Sequence, residues 1–152
     1  MKVVFLDFDG VLNTTTTTPA YALEAGLVAL LNVIVKLTGA KVVVSSAWRA
    51  IEGLPYCVAH LERSGFQGEV IGATPERNKV SDPRGLEIQA WLDEHPEVEA
   101  FVILDDEADM EHLLPKLVQT SFEHGLTEAD VEKAARLLGV RDLRCHANAP
   151  RP

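Results

Sequence analysis

Short apolar runs rich in Val and Ile alternate with helical patterns along the chain, and this alternation constrains the fold more than any other feature. The runs are "VVFLDF" (3–8), "AKVVVSS" (40–46), "GEVIGA" (68–73) and "AFVILDD" (100–106), followed by a weaker fifth, "KLVQTS" (116–121). None shows the strict apolar–polar alternation of a sheet with one wet face, so each reads as a parallel strand covered on both sides. Helical patterns fill the intervals at 19–38, 54–65, 82–96 and 127–139. Gly39, Gly65 and Gly139 close three of them, and the fourth stops before Pro96. Asp82 is the expected N-cap of the third helix with Pro83 at its first position, and Thr127 with Asp130 forms a capping-box variant before the last. The pattern predicts an α/β fold: one doubly wound, Rossmann-like domain with a central parallel five-stranded sheet.

A chain of 152 residues is long enough for one domain whose core needs no staple. That domain is expected to span residues 1–143, with the aperiodic segment 144–152 as a flexible tail. "TTTTT" (14–18) is the one low-complexity patch, and it is expected to loop over whatever site residues 7–9 form.

Fourteen basic residues against 23 acidic ones leave a net charge of −9. That balance opposes broad binding to nucleic-acid phosphates or to an anionic membrane. Cys57 and Cys145 lack metal-ligand spacing and form no disulfide framework, so both read as thiols in a reducing cytoplasm. No stretch approaches the ~18–20 apolar residues needed to span a bilayer, and the apolar run after Met1 is cut by Asp7 before it resembles a signal peptide. The five histidines show no ligand spacing and read as surface or packing residues, and Trp91 reads as core.

In an open parallel sheet, ligands bind at the carboxyl ends of the strands. The first strand ends in "DFDG", with Asp7 and Asp9 at i and i+2 on one side of the chain. The second ends in "SSAWR", with Ser45, Ser46, Trp48 and Arg49. The fourth ends in Asp105 and Asp106, with Asp109 close behind. Taken singly, Asp-Gly is a common turn and an acidic pair suits a helix start. Taken together, these residues gather at one edge, where several carboxylates repel unless a cation holds them. Oxygen ligands of this kind favour Mg²⁺, beside which one carboxylate can attack and another can move protons. A basic residue, Arg84 or Lys79, lies near the start of the third helix, where the macrodipole disfavours positive charge unless an anion is within reach.

These residues resemble the haloacid dehalogenase superfamily of phosphohydrolases. "DFDGVLN" resembles its first motif, "VVVSS" its second and "VILDDEAD" its fourth, while Arg84 or Lys79 fills the third. "SSAWR" and "PRGLEIQAWL" further resemble a small uncapped branch found in RNA-repair proteins, similar to the phosphatase half of polynucleotide kinase-phosphatases. The resemblance implies that Asp7 attacks phosphorus to form an aspartyl-phosphate and that Asp9 protonates the leaving group, then activates water. It implies that Ser45, Gly10 and Arg84 or Lys79 hold the phosphoryl group. Mg²⁺ would be held by Asp7, the backbone carbonyl of Asp9, and Asp106 in preference to Asp105.

No interval between the motifs has room for a large cap domain. An open site suits a phosphorylated substrate, small or macromolecular, and leaves Ser46, Trp48, Arg49 and Asp109 at the substrate rim. The expected function is therefore a Mg²⁺-dependent phosphatase, with nucleotide or nucleic-acid ends among its candidate substrates. The alternatives are a small-metabolite phosphatase or phosphotransferase, and a catalytically silent binding module on the same scaffold.

Overall fold

Each of the five apolar runs forms a parallel strand: β1 (Lys2–Leu6), β2 (Lys41–Val44), β3 (Val70–Ala73), β4 (Ala100–Asp105) and β5 (Leu117–Gln119). The computed structural model describes residues 1–76 and 82–143. Lys79 and the segment 144–152 therefore lie outside the described residues. The strands make one sheet in the order β3-β2-β1-β4-β5, all parallel. Central β1 sets the register, with Val4 opposite Val42 on one side and Val102 on the other.

Successive residues of the inner strands enter opposite core layers, which explains why the sequence shows no alternation. Val4, Leu6, Val42, Val44, Val102 and Leu104 pack beneath α1 (Ala25–Thr38), α3 (Leu54–Arg63) and α5 (Glu128–Leu137). Val3, Phe5, Val43 and Ile103 pack on the other face against α4 (Arg84–Asp93), where Trp91 meets Phe5 edge-on at 5.5 Å. A short 3-10 helix (Glu111–Lys116) completes that layer through Leu113. Most of these strand residues are fully buried, and each such side chain stabilises the fold by ~1.5–3 kcal/mol relative to exposure. Among the described residues no helix is long and apolar enough to cross a membrane.

Helix boundaries depart from expectation in two places. The first helix begins at Ala25, not at residue 19. Residues 19–24 instead form a turned loop in which the Glu24 N–H donates to the Leu12 carbonyl and the Glu24 carboxylate accepts from the Thr17 hydroxyl. These contacts tie the segment to the threonine run, so its apolar spacing never becomes helical. At α4, Pro83 is the N-cap and Arg84 the first helical residue, so Asp82 does not cap it. The cap comes from Asp109, whose carboxylate accepts from the Arg84 N–H at 3.0 Å and whose carbonyl accepts from the Gly85 N–H. A fifth α-helical segment, α2 (Trp48–Ile51), and the 3-10 helix are too short to give a periodic signal. The capping box of Thr127 and Asp130 on α5 and the left-handed Gly39 after α1 are both present.

Candidate active site

Strand order reverses between β1 and β4, so their carboxyl ends open the crevice in which a doubly wound sheet binds its ligands. Asp7 follows β1 and its N–H continues the ladder to the Leu104 carbonyl at 3.0 Å, which puts it beside Asp105. Asp7 and Asp105 are both buried. One ligand oxygen from each of Asp7, Asp105 and Asp106 lies within 4.8 Å of the others. Arg84, projecting from the first turn of α4, places Nη1 2.7 Å from Asp105 Oδ2 and 3.2 Å from Asp7 Oδ2.

The repulsion within this cluster is only partly relieved. Burial, then repulsion from Asp105, pushes the Asp7 carboxyl well above the usual carboxylate range, only partly offset by Arg84 and by the Phe8 N–H on Oδ1. Burial and the same neighbour push Asp106 up to about 6. Arg84 is held in its charged form: burial opposes the charge, but Asp7 and Asp105 outweigh it. Three clustered carboxylates, of which Asp7 and Asp106 are raised, form a donor set that fits a hard divalent cation. Asp105 already has both oxygens engaged, Oδ1 by the Glu107 N–H and Oδ2 by Arg84.

Asp9 stands apart from this cluster. Its Oδ2 accepts from the Trp48 indole N–H at 3.0 Å and its Oδ1 from the Asn13 amide at 2.9 Å. Asn13 is itself buried, and its Oδ1 accepts from the Gly10 N–H at 3.0 Å. Gly10 has φ +78°, and a Cβ there would meet Asp106 Cγ at 2.6 Å, so the close approach of loop and carboxylate requires glycine.

The end of β2 supplies a different chemistry. The Ser45 hydroxyl is buried and has no hydrogen-bond partner among the described residues. Thr74, which follows β3 and donates its N–H to the Val44 carbonyl, carries a second buried hydroxyl of the same kind. The Ser46 hydroxyl accepts from the Trp48 N–H just ahead of α2. The threonines between 14 and 18 bond among themselves, to Glu24 and to the Phe122 carbonyl.

Of the residues assigned to the rim, Arg49 turns inward. Arg49 is buried, donates to the carbonyls of Ser45, Ser46 and Thr74, and pairs with Glu87 at 2.8 Å. It clamps the ends of β2 and β3 to α4, and little of it is left exposed. Trp48 lies edge-on to Phe8 at 5.2 Å and stacks on His60 at 5.5 Å. Asp109 serves as the α4 cap. Sequence reasoning missed Asn13, Thr74 and Glu87. Asn13 closes the very motif that holds the Asp pair, and Thr74 follows β3 as Ser45 follows β2, so position alone was a usable signal for both.

A parallel sheet with a buried acidic cluster, a guanidinium and an unsatisfied hydroxyl at its carboxyl edge defines a domain of the HAD type. A family model described as the HAD domain in Swiss Army Knife RNA repair proteins matches residues 3–131, and the chain belongs to that family. Neither the curated proteins nor the solved structures give a match.

Proposed function

We propose that the protein is a Mg²⁺-dependent phosphatase that hydrolyses phosphomonoesters through an aspartyl-phosphate on Asp7. The observation that carries this reading is the convergence of Asp7, Asp105 and Asp106 around Arg84 at the β1–β4 switch point. Asp7 is the nucleophile: its oxygen attacks phosphorus in line while the bond to the leaving oxygen breaks. Asp9 gives that oxygen a proton, then takes one from the water that attacks the aspartyl-phosphate, releasing phosphate and restoring Asp7. The contacts of Asp9 support this division of labour, since Trp48 and Asn13 hold it outside the acidic cluster. The unpartnered Ser45 hydroxyl suits a phosphoryl oxygen, and Arg84 offsets its charge. Lys79 remains the competing cation. Mg²⁺ bound by Asp7, the Asp9 carbonyl and Asp106 would neutralise the charge that builds on the phosphoryl oxygens. Asp106 is preferred over Asp105 because the latter already accepts from Arg84 and Glu107.

The family's description, which names RNA repair, favours a nucleotide or nucleic-acid end as substrate. The net charge of −9 opposes broad contact along a nucleic-acid backbone. The working unit is residues 1–143, and the free, buried thiol of Cys57 suits a reducing cytoplasm.

The test is phosphate release from a panel of phosphomonoesters, with and without Mg²⁺, by the native protein and by Asp7→Asn. Release that needs the metal and vanishes in the variant is expected. Metal-dependent release that survives the substitution would remove Asp7 from the role of nucleophile.

A further inference from the structure

Against Trp48, whose indole N–H donates to Asp9, lies a cavity of about 330 Å³ lined by Tyr21, Trp48, Ile51, Glu52 and Tyr56. We propose that this cavity is the leaving-group subsite, and that it takes a flat, uncharged aromatic ring, a nucleobase or an aryl group, carried by the alcohol that departs from phosphorus. The assignment rests on the reading of Asp9 as the acid that protonates the leaving oxygen, and it adds to that reading the chemistry of the group that leaves.

Three observations carry it. First, the cavity is joined to the chemistry by a single side chain. The indole of Trp48 forms its wall and donates its N–H to Asp9 Oδ2. A group that receives a proton from Asp9 therefore emerges against that indole. Second, the lining is aromatic and exposed where a folded surface would normally hide it. Tyr21, Ile51 and Tyr56 are 65%, 76% and 37% exposed, and they are three of seven large apolar side chains left exposed among the described residues. Behind the wall, His60 stacks on Trp48 with its ring at 16° and holds the Tyr21 carbonyl at 3.0 Å, so the surface is pre-arranged. A volume of this size falls within the range of small-molecule sites. Third, the charge selects. Glu52 is the charged residue of the lining, and among the described residues no lysine or arginine joins it. A second phosphate would meet repulsion there without a counter-charge, whereas a neutral ring meets faces on which it can stack. The cavity is therefore built for the ring next to a terminal phosphate and not for a continuing phosphodiester chain.

Two pairs of substrates isolate the ring. Adenosine monophosphate against ribose phosphate replaces the anomeric hydroxyl with a base; benzyl phosphate against cyclohexylmethyl phosphate replaces a puckered saturated ring with a flat aromatic one of nearly the same size. The native protein should prefer the aromatic member by about tenfold in kcat/KM, the scale of one stacked ring. Tyr56→Ala and Tyr21→Ala, at exposed positions that carry little of the fold, should each pull that ratio toward unity. A preference confined to the adenosine pair identifies the occupant as a nucleobase, and a preference in both pairs identifies a general ring subsite. In parallel, adenosine or benzyl alcohol, which carry no phosphate, should shift the indole N–H resonance of Trp48 and leave that of Trp91 in place. Turnover without aromatic preference, or a preference that both variants retain, overturns the subsite while leaving the phosphatase reading intact. Shift of the Trp48 resonance without turnover of any ester keeps the cavity as a ring-binding site but removes the phosphatase reading and, with it, the leaving-group role. Absence of any shift at saturating adenosine and benzyl alcohol overturns the subsite whatever the turnover.

Discussion

Asp9 is held by two donors that follow neighbouring strands, Asn13 from the loop after β1 and Trp48 from the start of α2 after β2. Trp48→Phe keeps an aromatic ring against Phe8 and His60 but removes the N–H. A hydrogen bond to a charged group contributes ~1.5–3 kcal/mol, and here most of that would be spent on the orientation of the proposed acid. The expected outcome is a fall in kcat of about tenfold with folding stability changed by less than ~1 kcal/mol. Steady-state kinetics with a thermal melt checks it; an unaltered kcat would show that Asp9 needs no support from the indole. Gly10 gives the complementary case. Gly10→Ala forces a side chain into a left-handed φ and into the Asp106 carboxylate at 2.6 Å. The left-handed conformation alone costs about 1–2 kcal/mol, and the collision displaces Asp106 from its neighbours. The variant should melt earlier and lose most of the Mg²⁺-induced rise in melting temperature. A full rise would mean that Asp106 does not contribute to metal binding.

At the scale of elements, α4 positions Arg84, and α4 in turn is held by residues distant in sequence. Asp109 caps its N-terminus and Glu87 anchors it to Arg49. Asp109→Ala removes the acceptor for the Arg84 N–H, and loss of an N-terminal cap typically costs ~1 kcal/mol. Arg84 should then be freer to leave Asp7 and Asp105, so KM for the phosphomonoester should rise more than kcat falls. Equal effects on both would argue that the cap acts on stability alone. The same helix shows what the sequence can and cannot reveal. Long periodic segments such as α5 carry their own signals, including the capping box of Thr127 and Asp130, and need no tertiary information. The acidic strand ends were legible because parallel strands deliver their carboxyl ends to one edge. Asp82 and Pro83 form a local pattern that reads as a cap, but the Asp109 carboxylate, 25 positions away from Arg84 in the chain, fills that place. Arg49 was misread for a related reason. A cation after a strand reads as a ligand grip, and only the fold brings three carbonyls and Glu87 around it. The cavity over Trp48 combines residues from three separate segments, and no local pattern announces it.

For the whole molecule, the acidic edge makes stability a function of pH and of metal together. Asp106 has an ordinary value of 3.8 and is pushed up to about 6 in the fold, and Asp7 is raised as well. A carboxyl whose value is raised on folding binds more protons folded than unfolded, so its contribution is full below 3.8 and is lost as the pH rises through about 6. The chelator-treated protein should therefore lose melting temperature between about pH 4 and about pH 7, against the usual trend for paired carboxylates. Mg²⁺ binds the ionised cluster, so it should stabilise the protein little at the acid end and strongly at the neutral end, which flattens or reverses the slope. Asp106→Asn removes the titrating group and should remove much of the acid-to-neutral loss in chelator. Arg84→Gln removes the one cation that, among the described residues, pairs with the cluster. It should deepen the loss in chelator and enlarge the rise produced by the metal. Differential scanning measurements across that pH range, with chelator and with Mg²⁺, separate these cases. Parallel pH slopes in the two media would mean that the carboxylates titrate independently of any ion, and the acidic edge would then be a structural feature and not a metal site.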